Sequence, residues 1–365
     1  MQVKNIVAVA VQANLPVLIW GEPGTGKTSF IYQLGKALDV PTKVVIAALH
    51  EPADFGGWPV PEDQKAVRFL PPSWAYELLE KGKGILFLDE ISTAPPAVQA
   101  ALLRVVLERT IGEFQLPSEV RIVAAANPPD QAAGGWELAA PLANRFLNLD
   151  WKVDHEAWVG GIMSGFQNEE IPLLPENWTE KINQKLIYVT SYIASRSTAL
   201  LQMPKRESEL GRAWPSPRSW ELAAKVWAAT DAAGLTEDEQ IASLSAAVGE
   251  GQAIEFWNYV QHLDIPSIEQ IMKDPEHVPL PERDDSLFAM SLNIAEYAIS
   301  KKTPKPFQAA WTVYGRMASI GKGDIPVIAI RRLAQELPEN FRKYIPISSV
   351  EEFLPILKEA GLLGG

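Results

Sequence analysis

The sequence predicts an α/β protein in which a parallel sheet is sandwiched by helices and followed by an all-helical region. Up to Asp150, short apolar runs alternate with segments of helical periodicity, the pattern of a parallel sheet covered on both faces. Beyond Asp150 the strand signals fade while helical spacing continues. We therefore expect an α/β core over residues 1–152, a helical lid over 153–263, and a linker with a small helical domain over 264–365.

The individual elements follow from the spacing of apolar residues. Apolar residues recur at helical spacing at Val3, Ile6, Val7 and Ala10, which predicts a short amphipathic helix. Four apolar runs predict buried strands at residues 16–20, 43–48, 85–88 and 120–125. Further helices are expected at residues 30–38, 74–81, 96–108, 177–201, 219–233, 236–248 and 251–262, and the proline-rich stretch 266–281 is expected to be a linker.

Composition narrows the class of protein. The chain has 365 residues, 47% of them hydrophobic and 21% charged, which is typical of a globular protein with a substantial core. A formal net charge of −12 argues against broad binding of nucleic acid or of an anionic membrane. The sequence has no cysteine, which excludes disulfides and thiolate metal sites, and its four histidines lack ligand spacing. No apolar run reaches the ~20 residues that cross a bilayer and no secretory signal is present, so we expect a cytoplasmic protein.

A glycine-rich turn between the first strand and the following helix matches the pattern G-x-x-x-x-G-K-[ST] in full. Glycines let backbone N–H groups approach phosphate oxygens at a helix N-terminus, where the helix dipole also favours anions. Lys27 would reach the β- and γ-phosphates, and the Thr28 hydroxyl would ligate Mg²⁺. The predicted nucleotide-binding residues are Gly21, Glu22, Pro23, Gly24, Thr25, Gly26, Lys27, Thr28 and Ser29.

Two further strands end in polar side chains. The run 85–88 leads into Asp89 and Glu90, and a buried parallel strand delivers such acids to the sheet edge where ligands bind. Asp89 would hold Mg²⁺, and Glu90 would orient and polarise the attacking water. Asn127 ends the run 120–125 with an amide that can donate to a phosphate and accept from water. The second carboxylate, Glu90, predicts hydrolysis, because a magnesium ligand alone would serve a nucleotide-dependent switch, whereas Asn127 taken alone could simply end its strand before Pro128.

These motifs resemble the Walker A, Walker B and sensor 1 elements of AAA+ ATPases. Glu51 to Trp58 is similar to the insert of the MoxR-type and dynein-related branch, and Thr110 to Glu119 resembles that branch's extra hairpin before sensor 1. Asn144-Arg145-Phe146 resembles the arginine-finger segment, and Ser216 to Ser219 resembles the start of the sensor 2 helix, with Arg218. The resemblance covers about residues 1 to 235, and the phosphate loop with Leu103 to Arg109 resembles the CbbQ/NorQ activator subgroup.

The resemblance implies ATP and Mg²⁺ as cofactors and a homo-oligomeric ring, a hexamer, that works on a protein client. It implies that Arg145 acts on the nucleotide of a neighbouring subunit, and it leaves open whether Arg218 acts on its own or a neighbour's nucleotide. Relatives of the MoxR type assist maturation or metal insertion, commonly with a von Willebrand factor A-type partner. Neither a membrane nor nucleic acid is expected as a partner.

Other interpretations remain open from the sequence. Relatives of this branch include nucleic-acid motors, although the chain lacks a Lys/Arg run with interleaved aromatic residues. A slow nucleotide-dependent switch and a preference for GTP are also compatible, since the phosphate loop does not read the base. Phe55 and Trp58 in the insert and Trp136 after Gly134-Gly135 could grip a polypeptide, but we expect them to be packing residues beneath loops.

Overall fold

A computed structural model describes residues 2–62, 65–128, 136–164, 170–336 and 353–354 of the chain. Its strands are β1 Val17–Trp20, β2 Thr42–Ile46, β3 Trp58–Pro61, β4 Val67–Leu70, β5 Lys83–Asp89, β6 Thr110–Ile111, β7 Phe114–Gln115, β8 Glu119–Ala126 and β9 Leu147–Asp150. Its helices up to the lid are α1 Gln2–Gln12, α2 Lys27–Ala37, α3 Pro52–Gly56, α4 Ser73–Lys81, α5 Pro96–Glu108, α6 Ala140–Ala143 and α7 His155–Ser164.

The remaining helices are α8 Ile182–Ser195, α9 Glu207–Leu210, α10 Pro217–Ala232, α11 Glu237–Val248, α12 Glu250–Gln261, α13 Ile268–Lys273, α14 Asp284–Lys301, α15 Pro304–Ser319 and α16 Val327–Glu336. Short 3-10 turns lie at Ala47–Leu49, Glu176–Lys181 and Ser197–Ala199. The predicted order of strands and helices in the α/β core and the helical character of the following region are confirmed.

The central sheet has five parallel strands in the order β2-β5-β8-β1-β9. Four of the strands were predicted from apolar runs. The fifth, β9, was not, because its sequence Leu-Asn-Leu-Asp is short and alternates apolar with polar residues at the edge of the sheet. Strands β1, β5 and β8 end at Trp20, Asp89 and Ala126, so the loops that carry the predicted site residues leave the same edge of the sheet.

The first helix is more deeply buried than its amphipathic pattern predicts. Every residue from Ile6 to Val11 has 0% of its surface exposed. Helix α1 contacts β1, β8 and β9 of the sheet and also α10 and α11. It is therefore enclosed between the sheet and the helices of the lid segment, which explains why the run is apolar on all sides.

Two short hairpins project from the core. The hairpin expected within Thr110 to Glu119 is present as β6 and β7, and a second one, β3–β4, lies in the insert that follows β2. They meet at two glycines: a Cβ on Gly57 would lie 3.2 Å from the α-carbon of Gly112. Arg68 of β4 also lies over the ring of Phe114 in β7, 5.7 Å from its centre. The two hairpins thus contact each other through backbone and side chains.

The α-carbon contacts divide the chain into two compact units, Met1–Ile182 with Thr198–Glu255 and Asn183–Ser197 with Phe256–Gly365. The first contains the sheet, and the division of the chain into core, lid and C-terminal domain stays a prediction. Among the helices of the described residues, none combines the length and the apolar character that a membrane span requires.

The second unit has its own helical core. Trp311 and Tyr314 of α15 are fully buried in it, and the Tyr314 hydroxyl donates to the carbonyl of Ser291 at 2.9 Å. Residues 266–281, expected to be a linker, contribute to this core through Ile271 and Val278. The structure differs from this expectation because the segment contains a packed helix, α13, with prolines on either side of it. Ser267 caps that helix by accepting a hydrogen bond from the N–H of Gln270.

Candidate nucleotide site

The phosphate loop joins the end of β1 to the first turn of α2. The N–H of Gly21 donates to the carbonyl of Ala126 at 3.1 Å, which ties the loop's start to the end of β8. Gly24 and Gly26 have φ values of +77° and +87°, a backbone conformation that other residues rarely adopt. Gly26 directly precedes α2, so the loop presents a helix N-terminus as an anion site requires.

Lys27 lies folded back over the loop. Its side chain is 7% exposed, and its ammonium group donates to the carbonyls of Gly21 at 2.7 Å and Glu22 at 2.9 Å. Burial lowers the pKa of Lys27, while the charges of Asp89 and Glu90 act in the opposite direction. A cation held in this way is already desolvated where a phosphate would bind.

The hydroxyl of Thr28 donates to the Asp89 carboxylate at 2.9 Å, which brings the first turn of α2 to the end of β5. Both groups are half-buried oxygen donors. Hydroxyl and carboxylate oxygens are the ligands that Mg²⁺ prefers, so the two predicted metal residues fit the ion.

Glu90 is exposed and has a φ of +55°, in the left-handed region that non-glycine residues seldom occupy. Three hydrogen bonds hold this peptide: the N–H of Glu90 donates to Asp89 at 2.9 Å, and the hydroxyl and N–H of Thr93 donate to its carbonyl at 2.8 and 3.1 Å. Backbone strain that is maintained by surrounding bonds is characteristic of functional positions.

Asn127 follows the end of β8 and faces the phosphate loop. Its amide oxygen accepts from the Lys27 ammonium at 3.5 Å. The hydroxyl of Ser92, a residue only 3% exposed, accepts from the N–H of Asn127 at 3.2 Å and lies 3.3 Å from its carbonyl. The structure therefore brings Lys27, Thr28, Asp89 and Asn127 together at one edge of the sheet, with Ser92 fixing the backbone of Asn127.

The two predicted arginines lie close enough for the charge of Arg218 to act on Arg145. Burial lowers the pKa of Arg145, and the positive charge of Arg218 lowers it further. A guanidinium N–H of Arg145 donates to the carbonyl of Pro141, whereas its Nε is buried without a partner in the described part of the chain. Within that part, neither arginine forms an ion pair. Among the residues that the structure describes, no carboxylate forms an ion pair with either arginine and neutralises its charge.

A buried link connects the segments that carry these arginines. Asn144 is 5% exposed, accepts from the Ser216 hydroxyl at 2.6 Å and donates to the carbonyl of Trp214 at 2.9 Å. Ser216 is the N-cap of α10 and also accepts from the N–H of Ser219. Asn144 therefore holds the end of α6, and with it Arg145, against the start of the helix that carries Arg218.

A cleft of about 1800 Å³ opens beside the phosphate loop. Its walls include Gly24 to Gly26 of the loop, Phe30 of α2, Trp151 and Trp158 after β9, and Arg212. Arg212 forms an ion pair with Asp150 at 2.7 Å, and its guanidinium lies 4.2 Å from the centre of the Trp20 ring. The cleft is large enough for the base and ribose of a nucleotide whose phosphates lie on the loop.

The aromatic residues that were expected to pack behave differently from one another. Phe55 is 2% exposed and belongs to the core, which confirms the expectation. Trp58 and Trp136 are 59% and 53% exposed, so for these two the packing prediction is wrong. Trp58 begins β3, and every residue of the two hairpin strands is exposed. Gly134 and Gly135 lie outside the described residues.

Comparison with known families bears on this geometry. Residues 16–146 match the AAA domain of the dynein-related subfamily. This segment is an AAA+ domain. It begins one residue before β1 and ends at Phe146, so it contains the phosphate loop, Asp89, Glu90, Asn127 and Arg145.

Curated relatives resemble the chain over the AAA domain. Nif-specific regulatory proteins of Sinorhizobium fredii and Rhizobium etli are 38% and 37% identical over 145 residues, 34% of this chain and 22% and 23% of theirs. The DNA-binding transcriptional activator HyfR of Escherichia coli is 34% identical over 133 residues, 33% of this chain and 19% of its own. The chain therefore spans about a fifth of the length of these relatives.

A solved structure from Cytophaga hutchinsonii, described as a candidate ATPase, is 15% identical with a TM-score of 0.43. It covers 71% of this chain and 88% of that one. A likeness of this size does not bear on the function.

Sequence reasoning missed three residues that support the AAA domain's site. Ser92 holds the backbone of Asn127, Asn144 holds Arg145 against α10, and Trp151 contacts the phosphate loop. Each acts through a contact with a distant part of the sequence. The one available signal was proximity, because Ser92 and Asn144 each lie within two residues of a predicted site residue.

Proposed function

We propose that this protein hydrolyses ATP with Mg²⁺ as a ring-forming oligomer and uses the energy to remodel a protein client, as MoxR-type relatives of its family do. The observation that carries hydrolysis is the convergence of the phosphate loop with two strand ends. Thr28 contacts Asp89 at 2.9 Å, and Lys27 contacts Asn127 at 3.5 Å. This set combines phosphate binding, metal binding and a polar group for the lytic water.

Each residue of the set has a chemical task in this proposal. Lys27 exchanges its two carbonyl partners for phosphate oxygens, whose negative charge suits a desolvated ammonium better. Thr28 and Asp89 would hold Mg²⁺, which when bound neutralises charge on the phosphates. Glu90 accepts a proton from the attacking water, and Asn127 orients that water. Glu90 is exposed, so a water molecule that enters the site can reach its carboxylate.

The paired arginines support action between subunits. The charges that act on Lys27 are those of Asp89 and Glu90, whereas the charge that acts on Arg145 is that of Arg218. Two guanidinium groups without carboxylate partners in the described residues fit the γ-phosphate of a nucleotide bound by a neighbour. In this proposal both arginines act in trans, the ring is a hexamer, and hydrolysis requires assembly.

The β3–β4 hairpin is the surface that we propose for the client. Trp58 and Val67 are 59% and 52% exposed and lie on opposite faces of the hairpin. Trp58, Val60 and Leu70 are all exposed and share one face of the hairpin, and a contiguous exposed apolar patch marks an interaction site. A von Willebrand factor A-type protein is the proposed adaptor between the ring and its target, in keeping with the MoxR resemblance.

The test of the shared active site mixes two inactive variants. Lys27→Ala retains Arg145 but loses nucleotide binding, and Arg145→Ala retains the phosphate loop but loses the finger. Each alone should be inactive, since comparable fingers contribute roughly 10³–10⁵ in rate. An equal mixture should recover about a quarter of the wild-type rate, because random head-to-tail pairing places an intact loop beside an intact finger that often.

Two outcomes would overturn parts of the proposal. An inactive mixture, with oligomers shown by light scattering, would exclude action in trans. An Arg145→Ala variant that hydrolyses ATP at the normal rate at any protein concentration would exclude the finger altogether. Arg206→Ala serves as the matched control, because Arg206 is exposed and pairs only weakly with Glu209 at 3.5 Å.

Glu90→Gln tests both the base and the client. The amide cannot accept the water's proton, so this variant should bind ATP and stall. Held with ATP and Mg²⁺, it should retain a protein client from a native lysate in a nucleotide-dependent way, and additional Trp58→Ala should weaken that capture. Recovery of nucleic acid alone, sensitive to salt, would instead favour a motor. Replacing ATP with GTP in the same assay determines which nucleotide the site accepts.

A further inference from the structure

Trp151 contacts the phosphate loop from outside it. It directly follows β9 and is 8% exposed. Its indole N–H donates to the carbonyl of Thr25 at 3.0 Å, within the glycine-rich turn. A hydrogen bond from the indole N–H is directional, so it orients the carbonyl that accepts it. A purely apolar contact would not do this.

The rest of Trp151 packs against both ends of the same loop. A Cβ on Gly21 would lie 3.0 Å from the Cβ and the carbonyl oxygen of Trp151, so a larger residue at the start of the loop would press against Trp151. The indole ring lies 5.1 Å from the ring of Phe30 in α2, tilted by 46°. The backbone N–H of Trp151 donates to the carbonyl of Trp20, and this bond anchors Trp151 to the end of β1.

The hydrogen bond to Thr25 fixes the orientation of a whole peptide group. A trans peptide is planar, and its C=O and the N–H of the next residue point in opposite directions. Because the carbonyl of Thr25 is directed at the indole, the N–H of Gly26 is directed away from it. Gly26 has a φ of +87° and would otherwise rotate more freely than any other residue type.

We propose that Trp151 is a positioning residue for phosphate binding, which holds the Thr25–Gly26 peptide in the orientation that presents the Gly26 N–H to a nucleotide's phosphates. This inference rests on the nucleotide site proposed above and adds a residue from outside the family's motifs. It also gives the strand β9, at the edge of the sheet, a direct role in the site.

Since Trp151 also lines the cleft, a contact with the nucleoside is the competing explanation. The two differ in the ligand that they affect. A residue that positions the loop acts on any polyphosphate, whereas a residue that stacks on the base acts only on nucleotides. Inorganic tripolyphosphate, which has no base or ribose, separates them.

The test is Trp151→Phe in the full chain, which keeps an aromatic ring against Phe30 and removes the N–H. We would measure Kd for Mg²⁺ complexes of ATP, ADP and tripolyphosphate by titration calorimetry, together with kcat and KM. All three Kd values should rise by one common factor of about 3–10, the value of one hydrogen bond. KM should rise in parallel, while kcat stays within about two-fold, because the loss is of binding that ground state and transition state share.

Trp136→Phe is the matched control, because Trp136 is 53% exposed and is not among the residues that line the cleft. Its three Kd values should stay at the wild-type level. If Trp151→Phe does not fold, Trp151→Met also removes the donor, with a smaller but flexible side chain that fills irregular gaps, and carries the same expectation.

Weaker binding of ATP and ADP with unchanged tripolyphosphate binding would overturn the positioning role in favour of base stacking. Unchanged binding of all three ligands would overturn any role for the indole N–H. Failure of the wild-type chain to bind any of the three would instead refute the proposed nucleotide site, so the two failures are distinguishable.

Discussion

Replacing Asn144 by alanine tests whether the buried link between α6 and α10 matters. Asn144 is 5% exposed, and both ends of its amide are used: Oδ1 accepts from Ser216 at 2.6 Å and Nδ2 donates to Trp214 at 2.9 Å. Alanine removes both bonds and leaves a small void. Because Asn144 directly precedes Arg145, the consequences should appear in stability and in hydrolysis.

The magnitude follows from the partners that remain. A buried hydrogen bond contributes about 0.5–1.5 kcal/mol net, so two contribute about 1–3 kcal/mol. One of the two partners keeps a hydrogen bond and the other does not. The carbonyl of Trp214 still accepts from the Ser219 hydroxyl at 2.9 Å, whereas the Ser216 O–H loses its acceptor, which places the expected loss toward the upper end of this range. For a unit of this size, a loss of about 1–3 kcal/mol corresponds to a decrease in Tm of about 2–12 °C.

The assay is thermal unfolding by circular dichroism, paired with steady-state ATP hydrolysis at a temperature where the variant is folded. Since the arginine is displaced while the phosphate loop is untouched, kcat should fall more than ATP affinity. Asn258→Ala, on the exposed face of α12, is the control and should stay within about 0.5 kcal/mol of the wild type. A Tm for Asn144→Ala within about 1 °C of the wild type would refute the reasoning that the link stabilises the fold.

Three further outcomes are expected. Burial lowers the pKa of Lys27 in the free protein, and the negative charge of a bound phosphate would raise it, so ATP binding at alkaline pH should take up protons. Calorimetry in buffers of different ionisation enthalpy measures this uptake. Identical binding heats in all buffers would contradict it. Gly35→Ala would place a Cβ 2.0 Å from the Thr42 hydroxyl and should destabilise the chain by about 1–3 kcal/mol in urea unfolding, whereas a neutral effect would show that Thr42 can turn away. Ile271→Ala should cost about 2–5 kcal/mol in the same assay, since the residue is fully buried; a change below about 0.5 kcal/mol would restore the interpretation of residues 266–281 as a linker.

The parts of the site that the sequence predicted well are motifs whose residues are adjacent in the sequence. The phosphate loop is a single run of residues, and Asp89, Glu90 and Asn127 each end a strand that an apolar run identifies. Because parallel strands of one sheet end at a common edge, their convergence needed no knowledge of the tertiary structure. The contacts of Thr28 with Asp89 and of Lys27 with Asn127 follow from that topology.

The parts that could not be predicted depend on contacts between distant residues. Asn144 and Ser216 are 72 positions apart, and Trp151 and Thr25 are 126 apart. Nothing in the local sequence distinguishes Trp151 from the eleven other tryptophans that the chain contains. The error at residues 266–281 has the same origin: prolines suggested a linker, and the burial of Ile271 is decided by helices that follow later in the chain.

The charges of the site offer a physical reason for assembly. In the phosphate loop, the negative charges of Asp89 and Glu90 act on the positive charge of Lys27 and offset part of it. Arg145 and Arg218 oppose each other's charge, a cost that a bound anion would relieve. In a head-to-tail ring the anion nearest to one subunit's finger would be the phosphate on the adjacent subunit's loop, so nucleotide binding would stabilise the contact between subunits as well as the site itself. Nucleotide-dependent assembly, with Arg145→Ala and Arg218→Ala both weakening it, is therefore what the proposed ring requires.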